Sequence, residues 1–233
     1  MNRSRQRWTA LCVFILVLST FAPLIAQRPG RQSPVLRIYL ARHGQTDWNV
    51  EGRTQGGRDI PLNATGRQQA ERLKMRLAGI QFDAAYMSAL SRSRQTAEIV
   101  HGQVPLTALP ALGERRFGKF EGQLTKDPQS GPEFDRRIWI PDDSLDGGES
   151  LVTFRDRVRG ALDVIRKAHE SGSILVVGHS YTNRMILSVI FGLSTEQMRM
   201  FEQANDELYL IELQSGSPPR LWKQITEMNL GDL

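Results

Sequence analysis

Val35-Leu36-Arg37-Ile38-Tyr39-Leu40-Ala41 runs directly into Arg42-His43-Gly44, and the reading of this stretch decides the fold. Apolar and β-branched residues make 35–41 a short strand. The polar, glycine-containing segment from 42 to 62 then reads as a loop. Working outward, Asn63-Ala64-Thr65-Gly66 opens a helix to about residue 78, with Ala70, Leu73 and Leu77 spaced to share one face. A second strand is expected at 82–87, followed by a helix to about 100 that Ser88 or Ser91 would cap. Residues 102–148 carry Pro105, Pro110, Pro128, Pro132 and Pro141 and read as loop, helical only at 133–138. An amphipathic helix follows at 150–171, ended by Gly172. Residues 173–178 form an apolar strand of the buried, parallel type. A helix at 181–191 and closing strands at 207–213 and 220–226 complete the pattern. No internal repeat or low-complexity tract interrupts it. Strands alternating with helices predict an α/β domain: a three-layer α/β/α sandwich around a mostly parallel central sheet.

The chain of 233 residues is long enough for one sizeable core. Its net charge of +5 does not mark a nucleic-acid-binding protein. Residues 1–26 hold Arg3, Arg5 and Arg7 and no acid, so the remainder carries only +2, with no dense cationic stripe. Those arginines precede the apolar run Ala10-Leu11-Cys12-Val13-Phe14-Ile15-Leu16-Val17-Leu18, and Ala26 stands before Gln27. A basic start, an apolar middle and a small residue at the end make the pattern of a secretory signal peptide cleaved after Ala26. The alternative is a retained anchor, because residues 9–26 are about long enough to cross a bilayer. Residues 27–34, rich in Pro, Gly and Arg, read as a linker, which leaves 35–233 as one folded domain. Cys12, the one cysteine, lies in the leader, so the domain is expected to have neither a disulfide nor a cysteine metal site.

The four histidines separate into two kinds. His101 and His169 fall in the last turns of expected helices, where an imidazole favours the helix end. His43 and His179 each follow an apolar strand and precede a polar loop, and the carboxyl ends of strands are where open α/β sheets build sites. Arg42 beside His43 suits attack on an anionic phosphoryl group: a guanidinium grips phosphate oxygens in pairs, and cationic surroundings keep an imidazole neutral. Gly44 has no Cβ to obstruct a ligand. A second basic cluster, Ser88-Ala89-Leu90-Ser91-Arg92-Ser93-Arg94, begins where the second strand ends.

Leu40-Ala41-Arg42-His43-Gly44-Gln45-Thr46 with Trp48-Asn49 resembles the signature of the histidine phosphatase superfamily, the phosphoglycerate-mutase-like enzymes. The resemblance continues in order from about residue 36 to 213. It takes in Asp59 to Gly66 with Gln69-Ala70, then Ser88, Leu90, Arg92 and Gln95-Thr96-Ala97, then Glu114 to Gly122, Gly147-Gly148-Glu149-Ser150 and Val176-Val177-Gly178-His179. Ala89, Ser93 and Phe120 depart from common family choices but touch none of the implied chemistry. The resemblance implies a phosphoglycerate-mutase-like fold and a phosphohistidine intermediate on His43, released by water. It implies that Arg42, Arg92 and His179 clamp the phosphoryl oxygens, with Asn49 as a further donor. Glu114 would give a proton to the leaving oxygen and then take one from the attacking water, with Glu121 as the rival acid. The alignment, not the helix pattern, favours Arg92 over Arg94. No metal and no cofactor is implied.

Gly178-His179-Ser180-Tyr181-Thr182 also approaches the nucleophile elbow of serine hydrolases, but that fold needs a histidine after its serine and none follows His179. The expected function is therefore hydrolysis of a small phosphomonoester. The alternative is a cofactor-dependent phosphoglycerate mutase, disfavoured by the short, Pro- and Asp-rich 123–146 segment and by the leader. A catalytically dead module is disfavoured because every implied catalytic residue is present. Within 123–146, Phe134, Arg136, Arg137 and Trp139 are candidate substrate contacts.

Overall fold

The computed structural model describes residues 33–223 and strand residues 226–227. The expected leader at 1–26 and most of the linker at 27–34 lie outside the described residues. Seven strands form one sheet: β1 (Val35–Arg42), β2 (Ala84–Met87), β3 (Leu106–Ala108), β4 (Gly172–Gly178), β5 (Leu208–Gln214), β6 (Arg220–Lys223) and β7 (Thr226–Glu227). The helices are α1 (Asp47–Glu51), α2 (Ala64–Arg76), α3 (Ser91–Val100), α4 (Gly131–Arg137), α5 (Leu151–Ala168), α6 (Ser180–Phe191) and α7 (Thr195–Met200). Strand order is β3-β2-β4-β1-β5-β6-β7. Pairing is parallel from β3 to β1 and antiparallel from β1 to β7. The sheet is thus mixed rather than mostly parallel. One reason is local: a short turn joins β5 to β6, and a hairpin enforces antiparallel pairing.

Alternation along the strands supplies both faces. Leu36, Ile38 and Leu40 of β1 and Ile174 and Val176 of β4 pack with α5 and α6, through Phe154, Val158, Ile165 and Met185. Ala41, Leu175 and Val177 pack on the other face with Ala70 and Leu73 of α2 and Ala97 and Val100 of α3. Helix α5 turns Leu151, Phe154, Val158, Ala161, Leu162 and Ile165 inward, a spacing of three and four residues that makes one stripe. Burying each such large side chain contributes about 1.5–3 kcal/mol.

The helix starts follow capping chemistry. Asn63 accepts from the Gly66 amide and Ser150 from the Thr153 amide. Neither Ser88 nor Ser91 caps α3, whose N-cap is Leu90 with no side-chain bond. Ser91 instead donates its amide and hydroxyl to Asp59 at 2.6 and 2.8 Å. His101 and His169 occupy the C-cap positions of α3 and α5, and the His169 Nε2 also meets the Tyr86 hydroxyl at 2.8 Å. Among the described residues no helix is long and apolar enough to cross a membrane.

Candidate active site

Strands β1 and β4 are adjacent and parallel, with Arg42 in register with Gly178. From their carboxyl ends the chain leaves toward opposite faces of the sheet, into α2 on one side and α6 on the other. That divergence opens a crevice at the strand ends. His43 and His179 come next in each chain and stand side by side there, ring centroids 5.1 Å apart. Both are almost completely buried.

Their tautomers follow from their partners. The His43 Nδ1 lies 2.7 Å from the Gly44 carbonyl oxygen, which can only accept, so Nδ1 carries the proton and Nε2 keeps its lone pair. The His179 Nδ1 accepts from the Arg92 Nε at 3.2 Å, which leaves its Nε2 to donate to the Ser88 hydroxyl at 2.7 Å. Burial first, then Arg92 and Arg42, holds the His43 imidazole well below the ordinary histidine range. Burial, Arg92, His43 and Arg42 do the same for His179. Both rings are thereby neutral, as a nucleophile requires. Both nitrogens of His179 are engaged, and its ring stands beside His43 rather than in the cavity lining.

The loop after β1 is fixed by backbone proximity. A Cβ on Gly44 would stand 2.3 Å from the Gly66 carbonyl oxygen, and one on Gly66 would stand 2.1 Å from that of Gln45. Only glycines let the first turn of α2 press against the His43 loop. Thr96 of α3 accepts from the Gly44 amide at 3.0 Å, and Asn205 donates to the His43 carbonyl at 2.7 Å. Arg42 donates to the Gln203 carbonyl at 2.6 Å, while its Nε is buried without a partner. Asn49 closes a capping box with Thr46 through its Oδ1, leaving its Nδ2 as the free donor at the cavity wall.

Arg92 is fully buried, and burial lowers its guanidinium to about 10. It donates to the carbonyls of Arg58 and of Gly56, the latter at 2.8 Å. Arg94, by contrast, is half-exposed and meets only Glu98. Glu121 holds the same 56–58 loop from the other side, accepting from the amides of Gly57 and Phe117 and pairing with Arg58 at 3.3 Å. Glu121 does not line the cavity, so it is a strut rather than the rival acid. Glu114 does line it. Its carboxylate sits on the first turn of α6, accepting from the amides of Tyr181 and Thr182 at 3.2 and 3.0 Å, where the helix end favours negative charge.

A partly buried ion pair stands behind Glu114. Arg157 meets Glu149 with two bonds of 2.7 Å and donates to the carbonyls of Ala111, Gly113 and Glu114. Arg115, also buried, donates to the carbonyls of Glu149 and Ile138. Glu149 lay inside a recognisable motif but carried no role in the sequence reading. Asn183, Gln203 and Asn205 carried no signal at all.

The crevice holds a cavity of about 210 Å³ lined by Arg42, His43, Asn49, Arg92 and Glu114, together with Trp48, Phe117, Phe134 and Tyr181. Of the four contacts suggested in 123–146, only Phe134 lines it. Arg137 is held by Glu133, Asp143 and Asp146, Trp139 packs behind Tyr181 at 5.6 Å, and Arg136 faces solvent. Among the described residues no three His, Cys, Asp or Glu side chains converge as a metal site.

Two histidines side by side at adjacent strand ends, with His43, two guanidiniums and a carboxylate lining one cavity, agree with the family comparison: the model of the histidine phosphatase superfamily (branch 1) matches residues 38–232. The chain belongs to that superfamily. It is 35% identical over 175 residues to the 2-carboxy-D-arabinitol-1-phosphatase of Triticum aestivum, covering 72% of this chain and 35% of that protein. It therefore spans about a third of that relative's length. It is 32% identical over 157 residues to an uncharacterized phosphatase PhoE of Bacillus subtilis, covering 66% of this chain and 77% of that one. Among solved structures, Bacillus stearothermophilus YhfR superposes with a TM-score of 0.73 at 27% identity, covering 84% of this chain and 98% of that one. Phosphoglycerate mutases also occur among the relatives, but phosphatases are as well represented and the mutase reading gains no advantage. The superfamily's phosphoglycerate-mutase-like fold is the fold seen here.

Proposed function

We propose that this chain is a phosphomonoesterase working through a phosphohistidine on His43. The observation that carries the reading is the His43 ring itself: neutral, its Nδ1 proton tied to Gly44, its Nε2 lone pair open, and two guanidiniums beside it. In the first half-reaction Nε2 attacks phosphorus, the P–N bond forms and the bond to the leaving oxygen breaks. Glu114, which takes up a proton as the dianionic ester binds beside it, gives that proton to the leaving oxygen. In the second, water attacks phosphorus, Glu114 takes the water proton, and the P–N bond breaks to release inorganic phosphate. Arg42, Arg92 and the Asn49 amide hold the equatorial oxygens, and His179 orients Arg92 by accepting from its Nε. The arginines supply the electrostatic stabilisation, so hydrolysis is expected without added metal. The test is a quench of enzyme turning over p-nitrophenyl phosphate in chelator, followed by peptide mass spectrometry. An acid-labile phosphoryl group on His43 supports the mechanism, and turnover with no such group sinks it. We further propose export of the chain, supported by its basic-then-apolar first 26 residues; the N-terminus of protein recovered from the native host should begin at Gln27.

A further inference from the structure

We propose that the leaving group this site prefers is apolar, ring-sized and free of any second anion. The inference rests on the phosphomonoesterase reading and goes on to name the substrate class.

The argument is an accounting of charge around the cavity. Its cationic side chains are Arg42, Arg53 and Arg92. Arg42 and Arg92 stand with His43 where the phosphoryl group reacts. Arg53, partly exposed, already faces Glu51 at 2.5 Å and donates to the Gly122 carbonyl at 2.8 Å, so a second anion there would have to compete with that carboxylate and with water. Beyond the rim, Lys119 and Arg137 are consumed by Glu133, Asp143 and Asp146. Arg184 lies over the Tyr181 ring at 5.1 Å and is not part of the lining. A carboxylate or second phosphate on the leaving group would therefore be buried in the cavity without a counter-charge, which is strongly unfavourable.

The wall that remains is uncharged: four aromatic rings with Thr54, Gln55, Thr125 and Ser180 between them. Phe117 packs edge-on against Tyr181 at 5.0 Å and against Phe134 at 5.5 Å, so the three rings fix one another. Trp48 adds a fourth, braced where a Cβ on Gly122 would stand 3.4 Å from its ring. Such a wall gains from burying a flat apolar group and offers a carboxylate only the negative faces of its rings. Size sets the upper limit. A cavity of about 150 Å³ takes one benzene ring, so about 210 Å³ admits a single ring beside the phosphoryl group and little more.

The test compares benzyl phosphate, ethyl phosphate and 2-phosphoglycolate, whose leaving oxygens are all alkoxides. The expected order of kcat/KM is benzyl, ethyl, phosphoglycolate, with at least tenfold between the first and last. Trp48→Ala should cut the benzyl-to-ethyl ratio about tenfold through KM, and Trp48→Phe should restore it, with thermal melting confirming that both variants fold. Phosphoglycolate equal to or better than benzyl phosphate, with that preference lost in Arg184→Gln, overturns the inference. So does equal use of all three esters while His43 still becomes phosphorylated, which leaves the phosphomonoesterase reading standing. No label on His43 with any ester removes both.

Discussion

The Gly44 carbonyl does more for His43 than occupy a hydrogen-bond donor. By taking the Nδ1 proton it aims a lone pair into the cavity, and burial with two arginines keeps that lone pair unprotonated. His43→Ala should therefore lower turnover by at least about 10⁴-fold, the scale on which loss of a nucleophile acts, while circular dichroism stays unchanged. Retained activity in that variant would mean another group attacks. The pH behaviour follows with a definite sign. Because the folded-state value lies below the ordinary 6.5, the acid limb of kcat/KM attributable to His43 should fall below pH 6.5. Stability moves the same way. Below 6.5 the unfolded chain binds protons at His43 and His179 that the folded chain refuses, so stability is lost as pH falls from about 7 to 5. Urea midpoints across that range check this: His179→Gln should flatten the slope, and an unchanged slope would refute the assignment.

At the scale of elements, the segment bearing Glu114 has no regular structure of its own and borrows order from α5 and α6. The Arg157–Glu149 pair ties its carbonyls to α5, while the amides of α6 hold its carboxylate. Glu149→Gln should cost about 1.5–3 kcal/mol, because it weakens the charge-assisted bonds to a partly exposed Arg157. It should also slow alkyl phosphates far more than p-nitrophenyl phosphate, whose leaving group departs without a proton. Equal losses on both would reduce the pair to a purely structural role. Gly66→Ala should destabilise by about 1–3 kcal/mol, because its Cβ meets the Gln45 carbonyl, and it should lower kcat by shifting the His43 loop. Elements of this size also explain what could be read in advance. Helix α5 announces itself through eighteen residues of apolar periodicity and the Ser150 cap, and α2 through Asn63. Helix α1, with five residues, and strand β3, with three, do not complete two periods and so repeat no pattern. They exist because Thr46 and Asn49 cap one another and because β2 offers a free edge.

Across the whole molecule, the order β2-β4-β1 places the nucleophile strand against the strand of the second histidine, 136 residues later, and this is why two separate apolar runs ending in histidine could be joined into one site from sequence. Arg42 was legible for the same reason, as a cation at a strand end, whereas Arg92 and Glu114 were singled out through the family resemblance. Asn183, Gln203 and Asn205 were not. They reach Ala41, Leu40 and His43 across more than 140 residues by single hydrogen bonds, which leave no periodic or compositional trace. The antiparallel half of the sheet was equally silent about its direction, because a half-buried strand alternates in the same way whichever way its neighbour runs.

Half of the aromatic wall, Phe117 and Phe134, comes from one stretch, while Trp48 and Tyr181 stand on α1 and α6 close in sequence to His43 and His179. Recognition is thus partly separable from reaction. A graft of residues 117–139 from a relative, with Glu114 and the Glu149–Arg157 pair left in place, should exchange the preferred ester while the rate of dephosphorylating His43 stays that of the recipient.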